Sequence, residues 1–397
     1  RTEGFIQRVM EWERQYLQFD ERGLQAVQEF GLEWEQIKQV YEWAAKYMPS
    51  SVEWRGLYCQ LTNALAPFWR RRNENETIQR KWLLCALRTA TQNGDRELRR
   101  AFLEHMGNLS YDTNAFQKAV LYYKWALDSL GNEPDRAIEA RLLVGQANAM
   151  RDFAQRQRSS ARTLLEEAEI LYQKALELAL PESSVAERIY GNYGILKVRQ
   201  DRAREAIDLF LQALTLARAL SDLVAQRRNL GNLSSAYQNV GNFEEAMRCA
   251  TEAIEIADRI REPRGRSQSY AARGFIHRKQ GRMEAAVNDF KKSFKIANEA
   301  GLQLIAARQA DNLSEIYFAS GQLEEAVSES EYAYSVALKK NVGREIGFHG
   351  FTHGWNLVAV GRFAEAVTVF SNVTAQVGGQ ATLQALVARG VAHYLLN

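Results

Sequence analysis

The sequence predicts an all-α solenoid of stacked helical hairpins without a sheet. Three observations carry this expectation. Ala206, Ala246, Ala286, Ala326 and Ala366 stand forty residues apart, and a fixed step of about 20–50 residues is the mark of a repeat architecture. Gly241, Gly281, Gly321 and Gly361 keep the same step inside near-copies, such as Gly-Asn-Phe-Glu-Glu-Ala from Gly241 and Gly-Gln-Leu-Glu-Glu-Ala from Gly321. Hydrophobic residues make up 46% of the 397, charged residues 25%, and there are only 5 prolines. That balance supplies both a core and long helices.

The amino-terminal elements come first. Trp12, Trp34, Trp43, Trp54, Trp69 and Trp82 all precede residue 83, and here the forty-residue register is absent although helical spacing continues. Glu33 to Ile37 leads into a helix carrying Val40, Tyr41, Trp43 and Ala44, which Met48-Pro49-Ser50-Ser51 ends. A second helix carries Leu57, Leu61, Leu65, Phe68 and Trp69, and a third runs from Ile78 to Thr91. Residues 1–98 are therefore read as a Trp-rich helical segment that caps the array, its large aromatics sealing the first repeat from water.

Residues 99–397 form the array. Around Ala246, the apolar residues Leu230, Leu233, Tyr237 and Val240 recur at helical spacing, and Gly241-Asn242 stops that helix. A second helix follows with Phe243, Ala246, Met247, Ala250, Ala253, Ile254 and Ala257 on one face. This pattern resembles the tetratricopeptide repeat, with its small residue and tyrosine in the first helix and its alanine, aromatic and alanine in the second. Gly107, Ala119, Tyr123 and Ala126 fill these places first, then Gly145, Ala168, Tyr172 and Ala175, then Gly194, Ala206, Phe210 and Ala213. Ser234, Tyr237, Ala246 and Ala253 follow, then Gly274, Ala286 and Phe290. Ser314, Tyr317, Ala326 and Ala333 precede Gly354, Ala366 and Phe370, and Gly390 opens an eighth unit. His277 and Leu357 depart from the tyrosine, and Ser293 and Val373 from the last alanine. The resemblance implies an α-α superhelix of about seven and a half repeats. The second repeat, 135–182, carries about ten extra residues with Arg151, Arg156, Arg158, Ser159, Ser160 and Arg162. They read either as a solvated extension or as a basic contact site for an acidic partner.

Residues 30–130 also resemble the segment that follows the nucleotide-binding module of STAND-type signalling ATPases, including the NB-ARC group. Trp43-Ala44 closes one helix, Phe68-Trp69 the next, and Trp82-Leu83-Leu84-Cys85-Ala86-Leu87 follows before the repeats. The resemblance implies the ligand-sensing arm of such a switch, with a nucleotide-binding module upstream in a longer chain. A free-standing adaptor and a small-molecule-sensing regulator are the alternatives.

Motifs for chemistry are missing. No Gly-x-x-x-x-Gly-Lys-Ser/Thr loop, His-Glu-x-x-His or Gly-x-Ser-x-Gly occurs, so no catalytic residue and no cofactor are expected. His349 and His353 have the spacing of a metal pair, with His393 one repeat on, but His353 and His393 fall at positions that pack between neighbouring repeats, and no metal is expected. The three cysteines Cys59, Cys85 and Cys249 are isolated, which suits a reducing cytoplasm. No stretch is apolar enough to span a membrane. A net charge of +3 argues against nucleic acid, although a local basic patch remains open.

The expected function is binding of a protein or peptide in the groove lined by first helices. Its candidate residues are Arg188, Asn192, Arg199, Arg228, Asn232, Arg278, Lys279, Arg308 and Asn312. Arginines and asparagines stepped along an array can grip the carboxylates and backbone amides of an extended chain. The string Leu230-Gly231-Asn232-Leu233 is similar to the Leu-Gly-Asn repeats of kinesin light chains and spindle-orientation adaptors. The same polar residues could instead pair internally with Glu187, Asp311 or Glu315. Toward the carboxyl end the face turns apolar with Phe348, Phe351 and Trp355, either as a hydrophobic anchor site or as packing for further repeats.

Overall fold

Two combs of left-handed residues punctuate the chain. Asp201, Gly241, Gly281, Gly321 and Gly361 have φ between 61° and 79°, and Ser221, Arg261, Gly301 and Asn341 have φ between 51° and 69°. Both combs step by forty, offset by twenty. At the first comb a backbone bond closes each helix end: Asn242 N–H donates to the Tyr237 carbonyl, Arg282 to His277, Gln322 to Tyr317 and Arg362 to Leu357, all at 2.9 Å. This wide bond around a left-handed residue stops a helix and turns the chain back on itself.

The computed structural model describes residues 52–72, 76–131, 135–157, 160–376 and 380–396, with isolated positions 11, 36, 38, 39, 41, 42 and 46. The expected helix end at Met48 to Ser51, and Trp12, Trp34, Trp43, Ala44, Arg158 and Ser159, lie outside the described residues, as do the side chains of Trp54, Leu57, Phe68 and Trp69. Seventeen helices and no strand fall among the described residues. They are α1 (Val52–Arg72), α2 (Glu76–Gln92), α3 (Arg96–Asp112), α4 (Phe116–Asp128), α5 (Arg136–Ala154), α6 (Ala161–Leu178), α7 (Ser184–Arg199) and α8 (Ala203–Ala219). Then come α9 (Leu223–Asn239), α10 (Phe243–Ile260), α11 (Pro263–Lys279), α12 (Met283–Glu299), α13 (Gln303–Ala319), α14 (Leu323–Lys340), α15 (Gly343–Ala359), α16 (Phe363–Gln376) and α17 (Gln380–Leu396). From α3 onward they pair as seven hairpins, with α17 as a further first helix.

The chain divides into two compact units, Arg1–Asp222 and Leu223–Asn397. The first holds α1 to α8, the second α9 to α17.

Each hairpin core is closed in one of two ways, and from α7 onward the two alternate. In α7–α8, α11–α12 and α15–α16 the first helix has a glycine and the second an aromatic ring that lies on it. A Cβ on Gly194 would stand 2.5 Å from the Phe210 ring, on Gly274 3.1 Å from Phe290, and on Gly354 2.4 Å from Phe370. In α9–α10 and α13–α14 a serine replaces the glycine, and the ring position holds Ala250 or Ser330. There the hydroxyls of Ser234 and Ser314 donate to the carbonyls of Ala246 and Ala326, each at 2.9 Å. Glycine with a ring, and serine with a small residue, thus occupy the same two positions in alternate hairpins. The α5–α6 hairpin departs from both types at its turn: α5 runs to Ala154, nine residues past Gly145, where α9 ends five past Ser234, and α6 begins seven residues before Ala168, where α10 begins three before Ala246.

Candidate functional site

In the first unit a cavity of about 410 Å³ opens against the first helices of three hairpins, α3, α5 and α7, and against α1 and α2. Its polar lining includes Arg100, Glu104 and Asn108 from α3, Arg141 and Asn148 from α5, and Arg188 from α7. Arg141 holds Glu104 through two bonds, Nε to Oε1 at 2.7 Å and Nη2 to Oε2 at 3.0 Å. Arg100 Nη1 lies 3.5 Å from the same carboxylate and is a buried donor without a hydrogen-bond acceptor. Arg141 and Arg100 thus flank one carboxylate, and Arg188 lines the same cavity.

The two asparagines are fixed from behind. Tyr123 OH donates to Asn108 Oδ1 at 2.8 Å, and Tyr172 OH donates to Asn148 Oδ1 at 2.6 Å. With each carbonyl oxygen engaged, the amide nitrogen is the group left to donate to a ligand. Behind Asn148 sits a buried cluster made possible by the extra turn of α5. Arg151 donates to Asp152 through Nε at 2.9 Å and Nη2 at 3.0 Å, and to Asn148 Oδ1 through Nη1 at 3.1 Å. Tyr111 OH donates a short bond to Asp152 Oδ2. Burial pushes the Asp152 carboxyl up, but Arg151 and Tyr111 outweigh it and hold it below the usual carboxylate range. Burial pushes the Tyr111 phenol up to about 12. Both groups keep fixed protonation states at neutral pH, and the cluster braces α3, α5 and α6.

Three of the second repeat's extra basic residues have structural partners. Arg151 is buried, Arg156 Nη1 donates to the Asn114 carbonyl at 2.8 Å, and Arg162 pairs with Glu166 at 2.9 Å.

Of the groove residues expected from sequence, the first unit holds Arg188, Asn192 and Arg199. Arg188 lines the cavity. Asn192 turns back to donate to the Arg188 carbonyl at 2.9 Å, and Arg199 is exposed near Asp152. The second unit holds the rest. Arg228 and Lys279 are exposed, and Asn232 is half-buried. Arg278 pairs with Glu315, and Arg308 with Glu345 at 2.7 Å, so internal pairing accounts for these two. Asn312 donates to Gln309 Oε1 at 3.2 Å. Phe348 is 56% exposed. Phe351 and Trp355 pack on Phe370, with ring centroids 6.2 and 6.0 Å away, and so belong to the hairpin core.

His349 joins this set. It is fully buried, with Nδ1 3.4 Å from Asp311 Oδ1 and Nε2 3.3 Å from Glu345 Oε2, close charge contacts rather than aligned hydrogen bonds. Burial alone would lower its pKa, but the two carboxylates raise it to about 9. In turn His349 lowers Glu345 to about 2, with Arg308 adding to the effect. His353 Nδ1 instead meets Ser330 Oγ at 3.0 Å, and His393 is exposed on α17. No group of three or more His, Cys, Asp or Glu is placed to hold a metal among the described residues.

Sequence reasoning missed Arg100, Glu104, Asn108, Arg141 and Asn148. A signal existed, since Asn108 directly follows Gly107 in the first repeat. The long α5–α6 hairpin breaks the forty-residue step, so stepping backward from Arg188 loses the register.

A fold of stacked helical hairpins with a polar cavity lined by first helices defines a helical-repeat binding module. More particularly, the chain carries tetratricopeptide repeats: family models described as tetratricopeptide repeat match residues 185–259 and 267–299. No curated protein matches the chain. Among solved structures it is similar to a Rap protein complexed with competence and sporulation factor, at 14% identity and TM-score 0.56, covering 100% of this chain and 98% of that one. It is also similar to aspartyl phosphate phosphatase F from Bacillus subtilis, at 15% identity and TM-score 0.54, covering 95% of this chain and 94% of that one. A STAND protein with a tetratricopeptide repeat sensor from Pyrococcus horikoshii aligns at 16% identity over 87% of this chain and 54% of that one, with TM-score 0.48. At these identities the likeness is one of fold. No helix among the described residues is long and apolar enough to cross a membrane.

Proposed function

We propose that this chain binds a protein or peptide partner, and that the first unit's cavity takes an acidic segment of it. One observation carries the reading: two arginines flank a single carboxylate, with Arg188 lining the same cavity, whose asparagines are locked by tyrosines. An incoming carboxylate exchanges with Glu104 for Arg141, gains Arg100, and reaches Arg188 at the cavity wall. The asparagine amides donate to its backbone carbonyls. Charge-assisted bonds of this kind contribute about 1.5–3 kcal/mol each when desolvated. Tetratricopeptide repeats are generally non-catalytic, and the reading requires no reaction. The Rap structure, solved with a bound factor, supports ligand binding on a fold of this kind.

The test is selection from an immobilised library of eight-residue peptides of all charge classes. Peptides with Asp or Glu are expected to be enriched, and the Arg141→Glu/Arg188→Glu variant is expected to lose that enrichment while keeping its helical circular dichroism. Enrichment of uncharged peptides, or acidic peptides held equally by the variant, contradicts the reading.

The wider role proposed is the sensing arm of a STAND-type switch, in which the ligand favours one arrangement of the full protein. Its support is the resemblance at Trp43-Ala44, Phe68-Trp69 and Trp82 to Leu87. A phosphate-binding loop in the gene upstream of Arg1 tests it, and an upstream sequence without one favours the adaptor.

A further inference from the structure

Charge is segregated between two adjacent hairpins of the second unit. Residues 259–295, spanning α11 and most of α12, hold eleven Lys and Arg against three Asp and Glu, a net of +8 in a chain whose total is +3. The following stretch 309–338, most of α13 and α14, has six Asp and Glu and no Lys or Arg. Part of this charge is spent within the molecule, in Arg273 with Asp289 at 2.7 Å and in Arg278 with Glu315. The second helices keep the remainder. Arg282, Lys291 and Lys292 are exposed on or beside α12, and Glu324, Glu325 and Glu331 are exposed on α14. None of these six forms an ion pair among the described residues. Lys291 Nζ lies 5.8 Å from the Tyr317 ring centroid and Lys292 Nζ 5.6 Å from that of Tyr270.

We propose that this face is an interface between two copies of the chain. α12 and α14 are neighbours, with Tyr332 OH donating to Asn298 Oδ1 at 3.1 Å and the Phe294 and Tyr332 rings 5.2 Å apart. Lys291 and Glu331 stand forty residues apart, so they occupy equivalent places on the two helices. A twofold axis parallel to the helices lays α12 of one copy on α14 of the other. Lys291 then meets Glu331, Lys292 meets the Tyr332 ring, and Arg282 lies within a turn of Glu324 and Glu325. Symmetry repeats every contact, as an isologous interface requires. Glu284 faces Glu324 as a like charge, and Arg282 beside it offsets the repulsion. A self-complementary pair of opposite charges explains both hairpins together, whereas a polyanionic partner explains only the basic one. An interface built from exposed pairs is weak and salt-sensitive.

Sedimentation velocity of the whole chain tests this. A reversible monomer–dimer equilibrium is expected at about 20 mM salt, moving to monomer at about 0.5 M as screening shortens to a few ångströms. Glu331→Lys alone and Lys291→Glu alone should each weaken the dimer at least tenfold, about 1.4 kcal/mol. Combining the two in one chain restores opposite charges across the axis and should recover the dimer. Circular dichroism of each variant confirms folding at these exposed sites. A chain that stays monomeric at low salt overturns the proposal, as does a dimer indifferent to both reversals or a double variant that fails to recover. So does a basic hairpin that serves a polyanion instead: a labelled single-stranded oligonucleotide then binds the monomer, and binds Glu331→Lys more tightly than the parent.

Discussion

At the scale of single residues, the His349 cluster makes the stability of the second unit depend on pH. His349 has a folded pKa raised to about 9 by Asp311 and Glu345, against about 6.5 when unfolded. A raised pKa stabilises the fold in full below the unfolded value, and that contribution is lost as pH rises toward 9. Glu345, lowered to about 2, acts in the opposite sense. Its contribution is full above about 4.3 and lost as pH falls toward 2. Thermal unfolding of the second unit should therefore have its highest midpoint between these limits and fall by several degrees from pH 6.5 to pH 9. The His349→Gln variant should lose most of the alkaline decline; a wild-type midpoint that holds level to pH 9 contradicts the cluster. The sequence shows His349 only as one of a metal-spaced pair and does not reveal its partners, because Asp311 comes from another hairpin. The turns divide in the same way. The first comb was legible because glycine marks Gly241 to Gly361. Its partner was hidden, since Ser221, Arg261 and Asn341 adopt positive φ without glycine, at a cost of about 1–2 kcal/mol for a residue with a side chain.

At the scale of the hairpin, the contact between glycine and ring decides stability. Gly354→Ala would drive a Cβ to 2.4 Å from the Phe370 ring, and overpacking of this kind costs about 1–3 kcal/mol. Urea unfolding should show a lower midpoint with an unchanged slope; an unaffected midpoint means that Phe370 yields freely and the tight closure is wrong. The positions of these residues were legible as a repeat signature. The alternation of the two closures was not, because glycine and serine both satisfy a requirement for a small residue, and only contact with Phe210, Phe290 or Phe370 separates them. The second hairpin shows the opposite failure. Its extra length was visible, but Arg151 read as a solvated or partner-facing cation. In the fold it is buried against Asp152, Asn148 and Tyr111, and no local pattern in α5 reveals a tyrosine forty residues upstream.

At the scale of the molecule, repeats that each touch chiefly their neighbours line up the first helices within each unit through short-range contacts. Function then depends on which of these first helices present charge to a ligand. Arg278 and Arg308 are joined to Glu315 and Glu345, and Phe351 and Trp355 to the core of the last complete hairpin. In the first unit Arg100 and Arg141 flank the Glu104 carboxylate, and Arg188 lines the same cavity. The most direct measurement is a comparison of two peptides selected on the chain, one with its acidic residues intact and one with each Asp or Glu replaced by the isosteric amide. Fluorescence anisotropy at about 0.1 M salt, where exposed pairs further apart than about 10 Å are screened, reads the local contacts. The account predicts that the acidic peptide binds at least tenfold more tightly, about 1.4 kcal/mol, and that Arg141→Glu/Arg188→Glu removes the difference. Equal affinities for the two peptides contradict it.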